Sequence, residues 1–565
     1  MQSTLTALEE ILAKHDWIST FTHSPDVLSL LRSNDAPSPS QSAPLRASFE
    51  RLKTARAELQ SDLDLLHNAT ASLQTQMSRL QSFENDYKAV FSPIRRIPSE
   101  ITMEILRRAG ENDPFSHHLP GMHISGFNVF AIQEGPWYLG QVCSSWRNVI
   151  ETLCPELWST MTVKFPFSYP RVPLKADAVE ILRVVLERSR NHPLDFYFGY
   201  HATQVREAQA MRQCFDVLVS HSKRWRAVRI VLPPALLPQL SLIRGKIDWL
   251  RDIYINCLHP GQPGDIHAFE IAPKLEKLYI KGMHPKTDIP FPVDNLVSFS
   301  DERAFAGDRR TPEYLDLLKL APKIRSFSYN DYGVSLIPMP FSPPGVTSRS
   351  VEELSASSPN FMRSLVLPSL KGVTLTTKDD MFEMENDGIK CPIGALSALH
   401  EMLVQSQCFL TRLHLIDVVL NDNLGNIIRL MHGLQEFVIK FYKWEDDYDP
   451  IMESLVTQLS EVNLVDGSLQ HSIVPSLQEL GIYLPSLHYT HVSFIDSAFV
   501  GMVASRVRHP PDARRLARLH LCVEGAGWTY DLDMEDENAL ISLKVEGLEL
   551  DFCKDDLDPV TDHDE

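Results

Sequence analysis

The chain has 565 residues, 44% apolar and 22% charged. That balance excludes a wholly disordered or collagen-like chain, and the length calls for several domains. Its 54 Lys and Arg stand against 73 Asp and Glu, a formal charge of −19, which argues against a nucleic-acid binder held by a basic face.

The eight cysteines (Cys143, Cys154, Cys214, Cys257, Cys391, Cys408, Cys522 and Cys553) are scattered, with no C-x-x-C and no zinc-finger spacing. They read as reduced, mostly buried thiols of a cytoplasmic or nuclear protein. The first residues, MQSTLTALEEILAKHDW, lack the basic-then-apolar order of a signal peptide. No stretch is apolar for long enough to predict a membrane span.

In chain order, residues 1–33 show helical spacing (Leu5, Leu8, Ile11, Leu12, then Val27, Leu28, Leu30, Leu31), broken at Ser24-Pro25. Residues 34–44, with Pro37, Pro39 and Pro44, predict a linker through which neither helix nor sheet runs. A seven-residue period then begins: Leu45, Leu52, Leu59, Leu66, Leu73, Leu80 and Tyr87. A second seam set lies four residues on, at Phe49, Arg56, Leu63, Thr70, Met77, Glu84 and Phe91. No Gly or Pro interrupts 45–91, so one long helix is expected there. It forms either a parallel homodimeric coiled coil or a single helix packed on the chain's own later helices. Arg56, Thr70 and Glu84 weaken the second set.

Residues 92–160 hold two helical blocks. The first reads Ile97-Pro98-Ser99-Glu100-Ile101-Thr102-Met103-Glu104-Ile105-Leu106. Pro98 suits a first helical turn, and Ile101, Ile105 and Leu106 make an apolar stripe. The second block has Leu139, Val142, Cys143, Trp146, Val149 and Ile150 at helical spacing, and Pro155-Glu156-Leu157-Trp158 closes it. Two short helices with wide apolar faces need a neighbouring domain or another protein to cover them.

These blocks resemble the F-box family, in particular the F-box-like proteins of mushroom-forming fungi. The family pattern L-P-x-E-I-x-x-x-I-L is met by Ile97 in place of Leu, then Pro98, Glu100, Ile101, Ile105 and Leu106. L-x-x-V-C-x-x-W-R is met by Leu139, Val142, Cys143, Trp146 and Arg147, and P-x-L-W by Pro155, Leu157 and Trp158. The inserted loop, 107–135, with Pro114, Pro120 and four glycines, is longer than in a compact F-box. The resemblance implies a Skp-type adaptor and a cullin ligase complex as partners. It implies an adaptor face at Pro98, Ile101, Ile105, Leu106, Leu139, Val142 and Trp146.

Residues 161–553 repeat an apolar pattern at i, i+3, i+5. It occurs at Trp225-Val228-Ile230, Leu250-Ile253-Ile255, Leu275-Leu278-Ile280, Ile324-Phe327-Tyr329 and Leu370-Val373-Leu375. Further copies are Leu410-Leu413-Leu415, Leu434-Phe437-Ile439, Leu477-Leu480-Ile482, Leu516-Leu519-Leu521 and Val545-Leu548-Leu550, with a partial copy at Leu296-Phe299. The intervals run from 21 to 46 residues. The short ones fit leucine-rich repeats, and the long ones suggest insertions or degenerate copies. The fold class expected overall is multidomain: a long helix or coiled coil, a helical F-box-like module, and an irregular leucine-rich-repeat-like α/β solenoid.

Motifs for chemistry are missing. The sequence has no G-x-S-x-G, H-E-x-x-H, P-loop or G-x-G-x-x-G, so no enzyme activity, cofactor or metal is expected. Residues 529–565 carry fourteen acids against Lys544 and Lys554, −12 of the −19, and 554–565 reads as an acidic tail. The function expected from the resemblance is that of a substrate receptor of an SCF-type ubiquitin ligase, holding an unidentified client on the repeats. The alternative is a scaffold whose F-box-like helices are internal core and whose coiled coil drives oligomerisation.

Overall fold

The computed structural model describes residues 2–33, 36–111, 126–164, 178–200, 205–303, 310–329, 345–377, 390–465, 468–484, 490–508, 515–523 and 528–554. Most of the inserted loop (112–125) and of the acidic tail (555–565) lies outside them. The chain divides into two compact units, Met1–Ile101 and Thr102–Glu565.

In the first unit, short helices at Gln2–His15, Trp17–Thr20 and Pro25–Ser33 precede a helix of 52 residues, Pro39–Val90. At ~1.5 Å per residue it is about 78 Å long. The expected linker is therefore shorter than 34–44. Ser38 caps the helix and forms a reciprocal capping box with Gln41, while Pro39 takes the first helical position. There its fixed φ helps and its missing N–H costs nothing. Pro44 lies inside the helix, still close to its start. Within the first unit the long helix carries the helix Gln2–His15 along its first half: Lys14 Nζ lies 3.0 Å from Asp62, and His15 Nε2 lies 2.8 Å from the same carboxylate.

The second unit is built on one fifteen-stranded sheet whose strands neighbour one another in chain order, from Phe127–Asn128 to Glu549–Lys554. Every pairing along it is parallel. The sheet is open, since its two end strands have one neighbour each. In-order parallel strands require a crossover each time, and the crossovers explain the uneven spacing. Some closely spaced strands are joined by 3-10 turns such as His267–Phe269, others by short helices such as Asn423–Leu430. Widely spaced ones are joined by full helices at Ala395–Ser406, Asp449–Ser460 and Ser497–Arg508. Three of the long intervals are thus complete helical crossovers, not degenerate repeats. The interval of 46 hides a strand at Glu353–Ala356, where Val351, Leu354 and Ala356 keep the spacing with Ala in the last place.

Register aligns the middle residues of the pattern into one buried column: Val228, Ile253, Leu278, Phe299, Phe327, Leu354, Val373, Leu413, Phe437, Leu480 and Leu519. Each such side chain contributes ~1.5–3 kcal/mol relative to exposure. The last copy is shifted by two residues from the expected frame. Leu550 pairs with Leu519, and Val545 is exposed.

A half-buried arginine and a buried one tie off crossover helices, whose last carbonyls have no partner within the helix. Arg224 donates to the carbonyls of Leu186 (3.3 Å), Ser189 (3.2 Å) and His192 (2.9 Å), past the end of the helix Ala178–Arg188. Arg506 does the same beyond Asp449–Ser460, donating to Leu459, Ile473 and Val474. Burial lowers the Arg506 pKa to about 10. Gly282 marks another tight point. Its φ is +67°, and a Cβ there would lie 2.1 Å from the Cys257 carbonyl oxygen, so only glycine fits.

Candidate functional site

The first motif block forms the helix Ser99–Glu111, with Pro98 just ahead of it and exposed. Its apolar residues do not share one stripe. Leu106 is fully buried and Thr102 nearly so, while Ile101 and Ile105 are 53% and 42% exposed. Neighbouring positions sit about 100° apart on a helix, so Leu106 faces the core and Ile105 faces out. Leu106, expected in an adaptor face, is therefore a core residue of the chain.

The second block is not one continuous helix. A short helix, Gly135–Leu139, stops at Gly140, and a new one, Ser144–Leu153, begins with Cys143 as its cap. The Cys143 side chain accepts from the Trp146 N–H at 3.5 Å. The sequence favours this break, because Gly140 weakens a helix and Ser144-Ser145 competes for backbone hydrogen bonds. Arg147 Nε spans the gap with a 3.0 Å bond to the Gly140 carbonyl. Val142 and Cys143 consequently lie outside regular helix and are exposed, Val142 by 56%. Leu139 and Trp146 are half-buried against the core, and Val149 and Ile150 are buried within it.

The seven candidate residues thus separate. Pro98, Ile101, Ile105 and Val142 are exposed, Leu139 and Trp146 are half-buried, and Leu106 is interior. Tyr138 and Leu153 add exposed apolar surface to the second block. Neither stood out in the sequence, since their exposure follows from where the helix breaks.

The closing Pro155–Trp158 turn holds the two blocks together. Arg107 of the first helix pairs with Glu156. Trp158 is buried and donates its indole N–H to the Ile150 carbonyl at 3.2 Å. Arg188, from the first crossover helix of the sheet unit, sits 4.9 Å from the Trp137 ring and 4.7 Å from the Trp158 ring and donates to Glu151 at 2.6 Å. Cys154, next to this turn, has its thiol pKa pushed up to about 11 by burial, which makes it a poor nucleophile.

The opposite face of the sheet is polar and paired across strands. Arg226 binds Asp195, Arg229 binds Asp252, Arg412 binds Glu353, and Arg518 binds Glu479. His414 lies 2.7 Å from Glu436 and holds that carboxyl below its ordinary pKa, against a smaller opposing effect of burial. Arg229 also lies 5.8 Å and 5.5 Å from the Tyr254 and Tyr279 ring centres. Among the described residues no group of three His, Cys, Asp or Glu could hold a metal ion. The most buried ionic cluster, Asp301 with Arg303 and Tyr314, is internally satisfied: Arg303 Nε donates to Asp301 at 2.8 Å, and the Tyr314 hydroxyl donates to the same carboxylate.

No protein-family model matches the chain, and no curated protein matches it either. The likeness to F-box proteins rests on the motif residues themselves.

Proposed function

We propose that the chain is the substrate receptor of an SCF-type ubiquitin ligase, docking on a Skp-type adaptor through its F-box-like module and presenting a client on the sheet unit. The observation that carries this is the solvent exposure of Ile105 and Val142. They occupy adaptor-contacting places of the family pattern, and Ile101, Tyr138 and Leu153 of the same module are exposed apolar residues too. Exposed aliphatic side chains on a rigid, well-packed module suit a docking face better than a folding core. In-order parallel strands with L-x-x-L-x-L spacing support a leucine-rich-repeat-like sheet, and the polar cross-strand face offers a client charged groups of both signs.

A receptor needs no catalytic residue. It acts by effective concentration, holding client lysines near the ubiquitin-charged enzyme so that an encounter in solution becomes a tethered one.

One observation favours the scaffold alternative: Leu106, and in part Trp146, are covered by the chain itself. Co-expression of the tagged full chain with a Skp-type adaptor separates the two. Retention of the adaptor through purification supports the receptor, and loss of the adaptor under conditions where the chain stays folded supports the scaffold.

A further inference from the structure

The first unit has no core of its own. None of its described residues, from Leu5 to Ile101, is buried. Leu45, Leu52, Leu59 and Leu66 are half-covered, and the helix Gln2–His15 lies along this half through Lys14 and His15. Beyond Leu66 the seam is bare: Leu73, Met77, Leu80, Phe83, Tyr87 and Phe91 are all exposed. A folded unit of this length without buried apolar side chains lacks the main stabilising contribution to folding, so its seam requires a partner.

The geometry points to a second copy of this chain, paired antiparallel along Pro39–Val90. The seven-residue period of leucines is the pattern by which helices bury one another's side chains, and two charges inside the second seam set choose the direction. In a parallel, in-register pair Arg56 meets Arg56 and Glu84 meets Glu84, two like-charge contacts in a seam that excludes water. In the antiparallel pair, Leu66 faces Met77 of the second copy, Leu80 faces Leu63 and Tyr87 faces Arg56. Arg56 then lies three residues, one layer, from Glu84 of the second copy, and two-fold symmetry repeats the contact at the other end. Among the described residues Glu84 pairs with the exposed Lys88, one turn away. The bare half of each helix thereby lies beside the half of the other that carries Gln2–His15, which encloses the half-covered Leu52, Leu59 and Leu66 as well. This pairing does not depend on adaptor binding.

The test is sedimentation equilibrium of the full chain. Wild type is expected to be a dimer, Glu84→Arg to weaken it about tenfold, equivalent to ~1.4 kcal/mol, and the swap Arg56→Glu with Glu84→Arg to restore it. A parallel pair would be indifferent to Glu84→Arg alone, since one like-charge contact replaces another. Disulfide trapping reads the direction separately: chains carrying Leu63→Cys should cross-link to chains carrying Leu80→Cys, and Leu80→Cys should not link to itself. A monomer at tens of micromolar, a swap that fails to rescue, or self-linking at Leu80→Cys would each overturn the proposal.

Discussion

The rings of Trp137 and Trp158 meet edge to face with their centres 4.9 Å apart, and the Arg188 guanidinium lies against both. Trp137 belongs to the second motif block, Trp158 closes the motif, and Arg188 ends the first crossover helix of the sheet unit. The second motif block and the start of the sheet are therefore one packed body. A docking face at Val142 would be fixed in position relative to whatever the sheet holds, which the proposed tethered transfer requires.

Trp158→Ala should accordingly destabilise far more than a surface change. The loss of a large buried aromatic, its indole hydrogen bond and its contact with Arg188 predicts a cost of ~3–5 kcal/mol. Urea unfolding should show a lower midpoint, whereas Tyr138→Ala, at an exposed site, should leave the midpoint within ~0.5 kcal/mol of wild type.

Cys143 is an exposed thiol beside Val142, whereas Cys154, Cys214, Cys257 and Cys391 are buried. Brief alkylation of the native chain followed by peptide mass spectrometry should modify Cys143 and spare those four. An adaptor bound at Ile105 and Val142 should slow the reaction at Cys143.

The Glu436 and His414 pair predicts an acid-linked loss of stability. The native carboxyl titrates below its ordinary value of 4.5, so its contribution is complete above that pH and disappears as pH falls through the lowered native value. For a partly solvated pair the contribution is ~0.5–1 kcal/mol. Glu436→Gln should be less stable than wild type at pH 7, and the difference should vanish in strong acid when unfolding is followed by circular dichroism.

Arg506 donates to three backbone carbonyls while almost fully buried. Arg506→Met keeps much of the volume but leaves those carbonyls unpaired, at ~1–3 kcal/mol each before relaxation. A loss of several kcal/mol is expected, with Arg506→Lys recovering part of it. Hydrogen exchange should show the ends of Asp449–Ser460 and Ser497–Arg508 opening first.

The sheet was largely legible because the pattern at i, i+3, i+5 reflects a strand with one buried face, and that constraint acts on every copy from Trp225 to Leu516. It was incomplete before Trp225, where Trp158-Met161-Val163 keeps the spacing beside the closing motif and went unread, and it failed where a small or polar residue stood in for an aliphatic one. Ala356 hid a strand, and Asp301 takes an inward place beside Ile280 and Tyr329, paid for by its bonds to Arg303 and Tyr314. The last copy was misplaced by two residues because Val545 and Leu548 imitate the spacing. At the motif, residue identities pointed to the right segments but not to which side chains face out. Leu106 and Ile105 are equally apolar, and only the surrounding packing separates them. The start of the long helix was missed because three prolines outweighed the capping pair Ser38 and Gln41.

Calorimetric titration of the purified full chain with a purified Skp-type adaptor, comparing wild type with Ile105→Asp/Val142→Asp, decides whether the module is a docking face. Both substitutions lie at exposed positions, so the variant should fold normally. Saturable binding by wild type at one adaptor per chain is expected, with a loss of at least about a hundredfold in the variant. No binding by wild type, or equal binding by both proteins, would contradict it.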